Sequence, residues 1–141
     1  MPINEHPDTG TVLVCDYDQG FRAPEMVKRR LVLVLSPKIS VRHGLCTVVA
    51  ISSTPPTPEM PYHYKIDFDP PLPKIWGNKD RWVKGDMINA VGFHRLDLLR
   101  HGKDRNGKRI YHYDTISEQQ LHHVRRSILS GLGLARLTKA L

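Results

Sequence analysis

Several features are scarce in this chain of 141 residues, and each absence excludes a class of protein. The two cysteines, Cys15 and Cys46, are too few for a disulfide framework and are not spaced as a metal-binding pair. No apolar run approaches the roughly 20 residues that span a bilayer. The first residues have neither the basic nor the apolar segment of a secretory signal. These absences predict one globular domain in a reducing, cytoplasmic setting.

The motifs of nucleotide and metal chemistry are also missing. The sequence has no phosphate loop, no dinucleotide fingerprint, no Cys-x-x-Cys and no His-Glu-x-x-His. His122 and His123 are adjacent, and adjacent residues on a helix do not face each other, so they do not predict a shared metal ion. We therefore expect no cofactor and no metal. Both cysteines lie in apolar segments without a nearby base, which predicts buried, inert thiols.

Acidic residues are scarce in the last third of the chain. Lys and Arg number 21 in all and Asp and Glu 14, giving a net charge of +7. Residues 1–93 contain 11 basic and 10 acidic side chains, whereas residues 94–141 contain 10 and 4. Five of the eight histidines also lie in 94–141. Basic charge concentrated in one region is typical of a protein that binds a polyanion, the alternative being a solubilising surface.

Most of the chain has the pattern of short strands. Alternating or continuous apolar residues predict strands over 11–17, 31–36, 46–52, 62–68, 82–87 and 90–93. Residues 18–30 have no clear period and are predicted to form a loop, and prolines interrupt the pattern at 53–58 and 70–73. The charged segment 100–108 is predicted to be a mobile loop or a hairpin tip. This arrangement favours a small antiparallel barrel.

The end of the chain changes to a helical pattern. A capping box is predicted from Thr115 to Glu118, and glycines at 131 and 133 mark the end of the helix. The apolar positions recur at three- and four-residue steps: Leu121, Val124, Ile128 and Leu132. We therefore predict a mainly β protein with a C-terminal α-helix at about 115–130. One domain is expected over 1–141, with a barrel core at 10–93 and a basic extension at 94–141.

Polar residues occur beside three of the predicted strands. Glu25 and Arg30 precede one strand, Ser52, Ser53 and Thr54 end another, and Lys84 and Asp86 share a face of a third. If folding brings these groups to one rim of the barrel, they supply what metal-free RNA cleavage needs. A base takes the proton of the 2′-hydroxyl, a cation stabilises the phosphate charge, and an acid protonates the leaving oxygen. The alternative is a structural Lys84–Asp86 ion pair and a solvated Glu25.

The order and spacing of four segments resemble the MazF/PemK (Kid) family, the toxins of type II toxin–antitoxin systems. The segments are 10–17, 30–37, 48–54 and 83–87, and the resemblance extends from about Gly10 to Phe93. Three departures are Leu31 in place of the family's proline, Pro24-Glu25-Met26 in place of Ser-Glu-Gln, and Met87 in place of a common glutamine.

The resemblance implies an SH3-like antiparallel barrel of the CcdB/PemK-like type, usually assembled as a homodimer. It implies metal-independent cleavage of single-stranded RNA, often mRNA, that leaves a 2′,3′-cyclic phosphate and a 5′-hydroxyl. It also implies a cognate antitoxin as a protein partner.

By similarity, the catalytic candidates are Arg30 for the phosphate, Ser52 to position it, and Asp86 or Glu25 as the base. The expected RNA-binding residues are Lys28, Arg29, Ser53, Thr54 and Lys84. Two other readings stay open at this point: a gyrase inhibitor like CcdB on the same fold, and a non-catalytic module that binds nucleic acid.

Overall fold

The fold is built on one seven-stranded antiparallel sheet. The computed structural model describes residues 2–141 of the chain. The strands are β1 Val12–Asp16, β2 Arg29–Val34, β3 Leu45–Ser52, β4 His63–Ile66, β5 Arg81–Gly92, β6 Leu96–Lys103 and β7 Arg109–His112. Their order across the sheet is β4-β5-β3-β2-β1-β6-β7. One α-helix, α1 Glu118–Gly131, follows the last strand. The prediction of a mainly β protein with a C-terminal helix is confirmed.

The central strands are buried on both sides, which explains their nearly continuous apolar sequences. Alternate residues of each strand point to opposite faces of the sheet. On one side, the helix face, residues such as Leu31, Ile51 and Val83 form a core with Val124 of α1. On the other side, the loop face, residues such as Val32 and Ala50 form a core that is covered by the loop after β1 and by the N-terminal segment.

The helix begins two residues later than the predicted capping box. Ser117 is the N-cap, its hydroxyl accepts from the backbone N–H of Gln120 at 3.1 Å, and the Gln120 side chain bonds back to Ser117. The prediction of Thr115 and Glu118 in these roles is wrong, because glutamine closes a capping box as well as glutamate does. The end is as predicted, with Gly133 at a φ of +76°. Within residues 2–141, no helix is long and apolar enough to cross a membrane.

Two strand predictions need correction. The segments predicted as separate strands at 82–87 and 90–93 belong to the single 12-residue strand β5. This strand pairs with β3, and the register shifts between Val49 and Ile51 of β3. The charged segment 100–108, predicted to be a mobile loop or a hairpin tip, contains the end of β6 and the tip of the β6–β7 hairpin, and β6 pairs with β1. Sequence patterning misses β7 because its four residues, Arg-Ile-Tyr-His, carry no apolar alternation.

A close approach between β5 and α1 fixes the position of β5. A Cβ atom added at Gly85 would lie 2.5 Å from the carbonyl oxygen of Ser127. Gly131, one helical turn further on, approaches the backbone of Gly85 and Asp86 in the same way. Only glycine permits helix and strand to pack at this distance. The contact therefore holds the start of β5 in place, next to the end of β3.

Candidate active site

Arg30 and Ser52 lie side by side where β2 begins and β3 ends. Leu31 pairs with Ile51 across these antiparallel strands. The next positions along the two strands are Arg30 and Ser52, and cross-strand neighbours have Cβ atoms roughly 5 Å apart. By strand alternation both face away from Leu31 and Ile51, and at this end of the sheet Arg30 also lines the pocket described next, whereas Ser52 does not. The register therefore makes Arg30 and Ser52 cross-strand neighbours.

A pocket of about 240 Å³ opens at this end of the sheet, and we call it the basic pocket. Its lining residues come from β2, β3, β5 and the β4–β5 connection: Arg29, Arg30, Leu31, Ile51, Ser53, Ile75, Trp76, Lys79 and Arg81. Four of these nine side chains are cationic and none is acidic. Leu31 and Ile51 provide an apolar floor that lowers the local dielectric. This arrangement favours a bound anion.

Local contacts fix the two arginines at the start of β2. The Nε–H of Arg30 donates to the carbonyl oxygen of Val27 at 3.0 Å, which leaves its terminal N–H groups for a ligand. Arg29 forms an ion pair of 3.6 Å with Asp97 of β6. Lys28 has a φ of +70°, and its carbonyl accepts from Tyr17 at 2.9 Å. The chain turns at Lys28 and enters β2 directly afterwards, so that Arg29 and Arg30 occupy the first two positions of the strand.

Arg81 is the most buried cation of the basic pocket, with 8% of its surface exposed. It donates to the carbonyl oxygen of Trp76 at 2.6 Å, and its guanidinium lies 6.0 Å from the centre of the Trp76 ring. Burial lowers the pKa of Arg81 below its ordinary value, because the charged form loses solvation. A bound anion would restore that solvation. In residues 2–141, no carboxylate lies within ion-pair distance of Arg30, Lys79 or Arg81.

The remaining strand-end hydroxyls adjoin the basic pocket. Ser53 lines it, whereas Ser52 is 8% exposed and its hydroxyl accepts from the N–H of Thr54 at 3.1 Å. Thr54 itself is exposed. Lys84 is half-buried in β5, opposite His63 of β4. Of the predicted RNA-binding residues, Arg29 and Ser53 line the pocket directly, and Lys28, Thr54 and Lys84 lie outside its lining.

The two candidate bases also lie outside this lining. Asp86 is exposed and four residues along β5 from Trp82, the partner of Ser52. Asp86 lies between Val83 and Ile88, the stretch of β5 where the register with β3 shifts. Glu25 is exposed in the loop after β1, where its carboxylate accepts from the N–H of Arg22 at 3.1 Å. In the described part of the chain, no ion pair joins Lys84 to Asp86.

The sequence interpretation missed Trp76, Lys79 and Arg81. They belong to the connection from Pro70 to Asp80 and to the first position of β5, where no periodic pattern links them to β2. The available signal was the Arg81-Trp82 pair directly before an apolar strand, combined with the antiparallel order of the strands.

The basic pocket can hold a phosphate group and stabilise added negative charge on it. Arginine binds two phosphate oxygens with one planar group, and hydroxyls supply further donors. Across residues 2–141, no group of three or more His, Cys, Asp and Glu side chains is positioned to hold a metal ion. The fold and this pocket together define a small β-sheet protein with a cationic pocket at one end of the sheet.

Comparisons with known proteins agree with this class. Residues 8–131 match the family described as the PemK-like, MazF-like toxin of type II toxin–antitoxin system. A protein of Haemophilus influenzae described as uncharacterized is 35% identical and aligns over 97% of this chain and 98% of its own length. The putative uncharacterized protein YifN of Escherichia coli is 28% identical over 71% of this chain and 78% of its own length.

Solved structures share the fold. MazF of Deinococcus radiodurans superposes with a TM-score of 0.60 at 21% identity, covering 92% of this chain and 98% of that one. An endoribonuclease in complex with its cognate antitoxin, from Mycobacterial species, gives 0.58 at 18% identity, covering 92% and 97%. The chain belongs to the family of PemK-like, MazF-like toxins of type II toxin–antitoxin systems. The SH3-like barrel with a C-terminal helix, expected from the sequence, is confirmed.

Proposed function

We propose that this protein is an endoribonuclease toxin that cleaves single-stranded RNA in the cytoplasm without a metal ion, leaving a 2′,3′-cyclic phosphate and a 5′-hydroxyl. The observation that carries the proposal is the grouping of Arg30 with three further cations and with Ser53 of the β3 end in the basic pocket. Metal-free cleavage needs this charge, because the phosphate gains negative charge as the 2′-oxygen attacks it.

In the proposed reaction, Arg30 and Arg81 bind the scissile phosphate and stabilise its transition state. Ser52 and Ser53 orient the phosphate from the end of β3. A carboxylate takes the proton of the 2′-hydroxyl, and Asp86 and Glu25 are the two candidates. The new bond joins the 2′-oxygen to phosphorus, and the bond to the 5′-oxygen breaks. Arg30 is the proposed acid that gives this leaving oxygen its proton.

The proposal includes two protein partners. One is a second copy of the chain, and the other is a cognate antitoxin. The solved relatives support the second partner, since one of them is an endoribonuclease with its cognate antitoxin and another is a MazE–MazF complex of Deinococcus radiodurans.

The test is digestion of a long single-stranded RNA in EDTA, followed by mapping of the new ends. We expect cleavage with cyclic-phosphate ends, and a loss of about 100- to 1,000-fold in rate for Arg30→Ala, as for removal of one transition-state donor. Lys38→Ala is the matched control, because Lys38 is an exposed cation outside the basic pocket. Cleavage at equal rates by wild type and Arg30→Ala would remove Arg30 from the reaction.

Parallel variants choose the base. Asp86→Asn and Glu25→Gln keep the size of each side chain, and the variant that loses the acidic limb of the pH–rate profile, where the base becomes protonated, identifies the base. RNA that is bound but never cut would instead indicate a non-catalytic binding module, and growth arrest with intact RNA and damaged DNA would indicate a gyrase inhibitor.

A further inference from the structure

We propose that the β6–β7 hairpin and the cleft at its base form a second binding site for single-stranded RNA, separate from the basic pocket. The choice of RNA rests on the proposed function, whereas the existence of a polyanion site rests on the hairpin alone. The residues that carry the inference form one surface, which we call the hairpin face: Arg100, Lys103, Arg109, Tyr111 and Tyr113.

The strand register places these cations and aromatic rings together. Arg100 pairs with Tyr111, and Lys103 pairs with Arg109. Paired residues point to the same side of a sheet. The extra residue at the register shift between Arg100 and Gly102 brings Lys103 onto the side of Arg100, although their spacing in sequence is odd. The shift thus converts a scattered set of charges into one basic strip.

The opposite side of the hairpin has a different character. Leu99 pairs with His112, and both are buried against the rest of the molecule. The ring of His112 lies 3.0 Å from His101, measured between Nδ1 and Nε2. This side attaches the hairpin to the molecule, and the hairpin face is left to solvent.

The charges of the hairpin face are unneutralised. Residues 100–110 are all exposed. Asp104, the one acidic residue among them, accepts from the N–H groups of Asn106 and Lys108 at 2.9 Å each and shapes the turn. Over residues 2–141, no ion pair involves Arg100, Lys103 or Arg109. Exposed cations without partners are free to contact phosphates and release counterions on doing so.

A cleft of about 380 Å³ lies at the base of the hairpin face. Tyr111, Tyr113 and Leu98 form one wall, and the N-terminal segment from Pro2 to Asp8 forms the other. The two tyrosine rings are 6.5 Å apart at 72°, and Tyr113 is 67% exposed. Exposed aromatic rings beside a basic strip are the surface on which unpaired bases stack.

The cleft and the basic strip are suited to different parts of the ligand, the cleft to a base and the strip to the phosphate backbone. The residues lining the cleft include the acidic Glu5 and Asp8, whose carboxylates repel phosphate, and Asn4; all three offer side-chain oxygens that accept hydrogen bonds from base amino groups. The strip is purely cationic. A single strand matches this division, with its backbone along Arg100, Lys103 and Arg109 and one base in the cleft. A duplex does not, because its bases are stacked inside.

The test measures the binding of a fluorescein-labelled 20-nucleotide single-stranded RNA by anisotropy, in EDTA and in the Arg30→Ala background so that the RNA stays intact. The variant R100Q/K103Q/R109Q removes the strip. The control K38Q/R136Q/K139Q removes three exposed charges, two of them from the same basic third of the chain but from the segment after α1. Circular dichroism melting checks that both variants fold.

We expect the strip variant to bind at least tenfold more weakly and to reduce the slope of log K against log salt by about 2, since single strands lose about 0.7 per phosphate contact. The control should bind like the parent. Tyr113→Ala should weaken binding about tenfold, with Tyr113→Phe retaining it, because stacking needs only the ring. Duplex RNA of equal length should bind more weakly than the single strand.

Three outcomes would overturn the proposal. Equal losses in the strip variant and its control would mean that only net charge matters. Unchanged binding by Tyr113→Ala, with loss of binding to polyglutamate in the strip variant, would make the hairpin face a surface for an acidic protein. Preference for duplex RNA would exclude the cleft as a base site. Each result is independent of the proposed nuclease, whose failure would show instead as uncut RNA with the wild-type protein.

Discussion

The two basic regions of this protein place similar charges in opposite environments. In the basic pocket, Arg81 is almost buried, hydrogen-bonded to a backbone carbonyl and packed near a tryptophan ring. On the β6–β7 hairpin, the cations are exposed and form no ion pairs within residues 2–141. A charge held in a low-dielectric pocket acts strongly on one phosphate, whereas exposed charges act weakly on many and are screened by salt.

This comparison assigns different tasks to the two regions. The pocket is suited to stabilising charge that develops during a reaction, since its groups are already oriented. The hairpin is suited to attracting and holding a long strand, since its contacts depend on counterion release. The two regions are joined through Arg29 of the pocket and Asp97 of β6, which form an ion pair of 3.6 Å.

Among the variants that compare the two regions, the largest effect is expected from exchanging one buried charge for an apolar side chain. Arg81→Met should lower the rate of RNA cleavage about 100-fold, because one preorganised donor to the phosphate is lost. The exposed Arg105→Met, at the hairpin tip, should change it less than threefold. Initial rates on one labelled RNA at two salt concentrations measure both. Equal effects of the two variants would break the contrast between the regions.

A second variant tests whether the packing of β5 supports the pocket end of the sheet. Gly85→Ala should reduce the free energy of unfolding by about 1–3 kcal/mol, because the added Cβ meets the backbone of Ser127 at 2.5 Å. Urea denaturation measures this loss.

Gly92→Ala is its matched control in the same strand. The Cβ added there also meets an atom at 2.5 Å, but that atom belongs to the exposed side chain of His94, which can move. The control should therefore cost less. If both variants lose the same stability, the close approach of β5 and α1 is not the cause.

The hairpin end should respond to pH. Burial lowers the pKa of His112 below its ordinary value of 6.5, and Asp114 opposes this shift while His101 adds to it. The unfolded chain therefore binds a proton that the folded chain resists, so stability falls as the pH drops below about 6.5. Urea midpoints at pH 8 and pH 5.5 measure the loss, and His112→Gln should reduce the difference. An unchanged difference in that variant would assign the pH dependence to another group.

The smallest effect on cleavage activity is expected from modification of the two cysteines of the core. Cys15 and Cys46 are fully buried, and burial raises the pKa of Cys15 to about 11 and that of Cys46 in the same direction. Both thiols should react with a thiol reagent at pH 8 at least 100-fold more slowly in the folded protein than in denaturant. Cleavage activity should survive the same treatment. Rapid labelling of the native protein would contradict the prediction of inert thiols.

Patterns among residues close in sequence predict many of the strands and the helix. The apolar run before Ser36 predicts β2, and the three- and four-residue spacing of Leu121, Val124 and Ile128 predicts α1. Leu132, placed on the same stripe, is instead 55% exposed, because it follows the last residue of the helix. Such patterns report periodicity well, but they locate the end of an element only to within a residue or two.

Sequence patterns predict only part of the candidate site. The sequence pointed to Arg30, Ser52 and Ser53, because polar side chains at the ends of buried strands are conspicuous. It also pointed to Asp86 and Glu25, which lie outside the lining of the basic pocket and stay candidate bases. Position along a strand predicts which face a residue occupies, but not which residues of another strand lie beside it.

By itself, the sequence determined strands β1 to β5, the C-terminal helix, the buried cysteines and the excess of basic charge after residue 93, because these depend on composition and on contacts between near neighbours in the chain. Tertiary structure alone decided that Arg81 and Lys79 join Arg30 in one pocket and that Tyr111 faces the N-terminal segment across a cleft. Those groupings depend on strand order and register, including the shifts in β5 and β6. Register is set by packing over the whole sheet, and no local pattern of residues encodes it.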